Sequence, residues 1–100
     1  MPAVRISRSA LADLEAIQDW YLQQGIAEIG LRLSRDILER IQLLETHPEL
    51  GRIVPEFSSP SLRELIHPPF RIVYRHEHDR VQVIRVWRSE RLLQLPDDSP

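Results

Sequence analysis

The chain contains no cysteine and no lysine. Without cysteine there are no disulfides, no thiolate nucleophile and no Cys-ligated zinc. Without lysine, every one of the thirteen basic side chains is an arginine. The planar guanidinium fork suits carboxylates and phosphates and stacks on aromatic rings. An excess of positive charge is also missing: fifteen acids leave a net charge of −2, which argues against a protein whose whole surface grips nucleic acid. No apolar run approaches the ~20 residues of a membrane span, and no basic-then-apolar segment opens the chain. These absences predict a soluble, cytoplasmic protein with no membrane partner. What remains is ordinary globular material, 42% hydrophobic and 28% charged over 100 residues. That length holds one domain with one core and one site.

The pattern of apolar residues divides the chain. Residues 3–7 alternate apolar and polar, as in a short strand. Ser7 or Ser9 offers an N-cap to a helix reaching Gln24, with Leu11, Leu14, Ile17, Trp20 and Tyr21 near one stripe. Gly25 ends it. A second helix runs from Ile26 or Ala27 to Glu45, with Leu31, Leu38, Ile41 and Leu44 at helical spacing and Arg32, Arg35, Asp36, Glu39 and Arg40 on its polar side. His47-Pro48 stops it. So short a connection makes the two helices an antiparallel hairpin.

Residues 46–61, rich in proline and serine, read as a loop. Three strands follow, at Ser61–Ile66, Phe70–His76 and Arg80–Arg88, joined by short turns and therefore antiparallel. The predicted fold is α+β in the order β-α-α-β-β-β, a helical hairpin packed on one face of a small, mainly antiparallel sheet. Residues 1–95 form the domain and 96–100 a short tail. Period-2 alternation directs Phe70, Ile72 and Tyr74 at the helices. On the last strand it groups Val81, Val83, Arg85 and Trp87 against Gln82, Ile84, Val86 and Arg88. The uncovered face is expected to present Arg71, Arg75, Arg85 and Trp87, with Arg88 and Arg91 at the strand end.

The segments "ISRSALADLEAIQDWY", "THPELGR" and "LRELIHPPFRIVYRHEHDRVQVIRVWRSERLL" occur in that order. In this order the chain resembles the RelE/ParE superfamily of small toxins from type II toxin–antitoxin modules, over about residues 4–93. The resemblance implies a growth-arresting toxin of the plasmid-stabilisation type, silenced by a cognate antitoxin. It leaves two activities: RelE-like members cleave mRNA on the ribosome without a metal, and ParE-like members are associated with poisoning DNA gyrase.

In RelE-like nucleases an arginine stands where this chain has Arg71, and such a group can stabilise charge on a phosphate in the transition state. Metal-free cleavage also needs a base for the 2′-hydroxyl and an acid for the leaving oxygen. The nuclease branch places a Tyr, a His or further basic residues after the last strand. Here that segment, Arg88-Ser89-Glu90-Arg91-Leu92-Leu93, has no Tyr, His or Lys, and arginine is a poor base. The reading is therefore closer to ParE: an inhibitor of gyrase rather than an enzyme, with no catalytic residue assigned. The alternatives are a ribosome-dependent mRNA endonuclease using Arg71, and a non-toxic relative that only binds its antitoxin. Antitoxin or target is expected at Arg71, Arg75, Arg85, Trp87, Arg88 and Arg91. His76-Glu77-His78-Asp79 reads as a polar turn, His67 as a turn residue, and no metal or cofactor is expected.

Overall fold

The computed structural model describes residues 2–89. β1 (Ala3–Ile6) leads into α1 (Arg8–Gln23) and α2 (Ala27–Gln42), the latter extended by a 3-10 turn at Leu43–Glu45. Then come β2 (Arg52–Ile53), β3 (Leu62–His67), β4 (Phe70–Glu77) and β5 (Arg80–Arg88). They form one five-stranded sheet in the order β1-β5-β4-β3-β2. β1 is an edge strand parallel to β5, and every other pairing is antiparallel. The α+β architecture and the helical hairpin on one face agree with the sequence. β2 was not foreseen: two residues of the proline-rich loop pair with Glu64 and Arg63 of β3, too few to leave an alternating signature. The expected tail, residues 96–100, lies outside the described residues.

Ser7 joins strand to helix. Its Oγ accepts from the Ala10 amide at 3.0 Å, capping α1, and donates to the Ile84 carbonyl at 2.9 Å. An N-cap of this kind contributes about 1 kcal/mol. Gly25, at φ +78°, supplies the left-handed turn between the helices. The helices then approach closely at Gly30, where a Cβ would meet the Tyr21 Cβ at 2.9 Å. α1 buries Ala10, Leu14 and Ile17, and α2 buries Gly30, Ser34, Ile37 and Ile41. Leu11, Trp20, Leu31 and Leu38, expected on the buried stripes, are exposed instead. The apolar pattern is wider than the sheet can cover, and close helix packing selects the small residues Gly30 and Ser34 for the inside.

Two cores lie on opposite faces of the sheet, where the chain length suggested one. Phe70, Ile72 and Tyr74 meet the helices as expected, together with Val81, Val83 and Val86. On the other face Val54, Leu62, Val73, Ile84 and Trp87 pack with Phe57. This partition corrects the parity assigned to β5. Tyr74 pairs with Val83 but Val73 with Arg85, so β5 carries an extra residue at Ile84. A bulge of this kind places two residues opposite one, and every later side chain changes face. Val86 therefore joins the helix side, while Trp87 turns away from it.

Candidate functional site

The sheet face away from the helices is not uniformly open. At the Trp87 end it is covered by residues 54–57, which fold over it after β2. Arg71, expected in the open, is only 5% exposed. Its Nη1 and Nη2 donate to both Glu56 carboxylate oxygens at 2.7 and 2.8 Å, and its Nε donates to Glu64 Oε1 at 2.6 Å. Glu64 is itself fully buried and takes a second guanidinium, from Arg52, at 2.7 Å. The fork bound to Glu56 is the main reason that the Arg71 pKa lies far above its ordinary value; the paired Glu64 adds to it and burial opposes it. A charge so buried is tolerated because it is paired and hydrogen-bonded. Arg71 lies across the sheet from the helical hairpin, so its burial leaves the facing of β4 as expected.

Arg85 is also held internally. β1 ends opposite Val83, and α1 runs past the part of β5 beyond it. Asp13 on α1 accepts Arg85 Nε and Nη2, each at 2.8 Å, and the Val86 amide at 2.9 Å. The Arg85 guanidinium lies 4.3 Å from the centre of the Trp87 ring. A carboxylate from a helix thus closes the strand edge that β1 leaves uncovered.

Beside this pair lies a groove of about 420 Å³ between α1 and the end of β5, floored by Ile17, Phe70 and Val86 and walled by Trp20, Trp87 and Arg88. Trp20 is half exposed and meets Tyr21 edge to face at 4.9 Å. The Arg88 guanidinium stands 5.7 Å from the Phe70 ring centre. Of the expected site residues, Trp87 and Arg88 line this groove, although Trp87 is buried, and Arg85 is bound beside it to Asp13. Arg71 is sealed in the covered face, and Arg75 lies at the far end of the sheet. Arg91 lies outside the described residues. Sequence reasoning missed Asp13, and it assigned Trp20 and Tyr21 to helix packing. A helical aromatic pair beside buried Ile17 was the available signal, but only the α1–β5 contact shows what the pair faces.

The phenol of Tyr74 organises the opposite flank. It accepts from the Gly51 amide and donates to the Pro48 carbonyl, each at 2.8 Å. Burial raises its pKa above the ordinary 10.0, and the hydrogen bond from Gly51 opposes the shift. Gly51 must lack a side chain, because a Cβ would stand 2.6 Å from the Glu64 carbonyl and 2.8 Å from the Tyr74 ring. The Pro48–Gly51 segment of the "THPELGR" motif is therefore a docking loop for a buried tyrosine. His78 and Asp79 form the β4–β5 turn at φ 51° and 59° and are exposed. Among the described residues, no group of three His, Cys, Asp or Glu side chains could hold a metal ion. No described helix is long and apolar enough to cross a membrane.

Comparison with known proteins gives a consistent result. The family described as ParE toxin of type II toxin-antitoxin system, parDE, matches residues 4–93. A solved structure of the chromosomal ParDE TA system from P. aeruginosa is similar at TM-score 0.76 and 30% identity, over 90% of this chain and 98% of that chain. A search of curated protein sequences gives no match.

Proposed function

The chain belongs to the ParE toxin family of type II toxin–antitoxin systems, and from that premise we propose that it is a cytoplasmic toxin that inhibits DNA gyrase and is neutralised by a cognate antitoxin. The observation that carries this reading over RNA cleavage is the state of Arg71. Its guanidinium is buried and already bound by two carboxylates. A group meant to stabilise a phosphate transition state has to be free to meet it. An occupied Arg71 favours a binding role, and the α1–β5 groove suits it. Its apolar floor accepts the apolar side of an amphipathic segment, and its rim of Trp20, Trp87 and Arg88 has the composition of a binding hot spot.

Membership of the ParE family supports the gyrase reading, the occupied Arg71 weighs against the nuclease alternative, and a supercoiling assay tests it. The purified chain should block supercoiling by gyrase and leave ribosome-bound mRNA intact; cut mRNA with unimpaired supercoiling would move the protein to the nuclease branch. Antitoxin binding is tested separately, by co-expression with the neighbouring reading frame. Trp20→Ala, at a half-exposed position, should weaken that complex about tenfold without lowering the melting temperature. An unchanged affinity would remove the groove from the interface.

A further inference from the structure

At the end of the sheet face that residues 54–57 do not reach, the strand register gathers a different set of arginines. Arg5 of β1 is level with Gln82 of β5, which is level with Arg75 of β4. In the adjoining row that shares this face, Ala3 is level with Arg80, and Arg80 with Glu77. Their neighbours Val4, Ile6, Val81 and Val83 pack on the helix side, so Arg5, Arg75 and Arg80 all stand on the other face. They line a cleft of about 660 Å³ with Gln82, Glu77 and His78. Among the described residues, none of the three arginines has a carboxylate within 4 Å, in contrast to Arg71 and Arg85. With one acid, Glu77, against three guanidiniums, the cleft is locally cationic on a chain whose net charge is −2.

We propose that the Arg5–Arg75–Arg80 cleft is a docking site for an extended, acidic polypeptide segment of a partner protein. It is separate from the α1–β5 groove and does not depend on the gyrase reading. Arg5 and Arg75 rise from strands two apart, roughly 10 Å, and Arg80 lies two residues along β5 from the row, roughly 7 Å. Such spacing exceeds a single phosphate and suits carboxylates roughly 7 to 10 Å apart, on every second or third residue of an extended chain. Each guanidinium can take one carboxylate through two parallel hydrogen bonds. A nucleic-acid strand fits less well. No Phe, Tyr or Trp lines the cleft for a base to stack on.

The test uses the full chain and a labelled decapeptide of alternating Glu and Ser, with a Gln–Ser decapeptide and a single-stranded oligonucleotide of equal charge as comparisons. The Glu–Ser peptide should bind with an affinity that falls steeply as salt rises, and more tightly than either comparison. The triple variant Arg5→Glu, Arg75→Glu, Arg80→Glu should lose at least tenfold in affinity and keep its melting temperature. A control with equal change in net charge, reversal of exposed Arg8, Arg32 and Arg35 on the helices, should keep binding within twofold. Equal loss in both sets, equal binding of the Gln–Ser peptide, or tighter binding of the oligonucleotide would each overturn the proposal.

Discussion

Arg71 and Arg75 stand four residues apart on one strand and point to one face of the sheet. Arg71 is sealed between Glu56 and Glu64, whereas Arg75 faces Leu62 across the strand pair and opens into a cleft. Local sequence does not separate them, since both sit in an alternating Arg-x-Val or Arg-x-Glu setting. The difference comes from elsewhere in the chain. Glu64 lies diagonally beside Arg71 on β3, and residues 54–57 bring Glu56 and a hydrophobic cover of Val54 and Phe57. An arginine on a sheet face thus becomes structural when a loop closes over it with a carboxylate, and remains available for a partner when none does.

Mutation of the covered end should give the largest effect. Arg71→Ala leaves Glu64 buried with Arg52 as its remaining guanidinium, and loss of one member of a buried pair costs about 3–5 kcal/mol. Urea denaturation should show the loss; a change under 1 kcal/mol would mean that the covered end is as tolerant as the open one. Next comes Gly51→Ala, which pushes a methyl group into the Glu64 carbonyl and the Tyr74 ring. It should cost about 1–3 kcal/mol, as overpacking does.

Tyr74→Phe is a smaller change, removing the hydrogen bonds to Gly51 and Pro48 for about 1–2 kcal/mol at neutral pH. It also carries a pH signature. The folded phenol titrates above its unfolded value of 10.0, so the folded state holds its proton after the unfolded chain has lost it. The associated stability is present below pH 10 and is lost as the pH rises through the folded value. The variant should lack that alkaline loss, which melting curves between pH 9 and pH 11 would reveal. The smallest effect is expected at the open end, where Arg75→Ala and Arg80→Ala should each stay within about 0.5 kcal/mol. A loss near that of Arg71→Ala would erase the contrast and point to an unrecognised structural pairing.

The chain's local patterns were enough for the helical hairpin, the short first strand, the three long strands and the facing of Phe70, Ile72 and Tyr74. Each follows from spacing, capping or turn length, which act over a few residues. The same short-range reading could not reach the bulge at Ile84, which shifts the later residues of β5 by one face and exists only relative to β4. It could not find Asp13 at the edge of β5, seventy-two residues from Arg85. Nor could it tell which arginines would be closed in, because that depends on where residues 54–57 come to rest. Residue type and alternation determined that this sheet would carry arginines on one face. Long-range packing decided which are bound within the fold, because only the folded chain brings a carboxylate within hydrogen-bond reach.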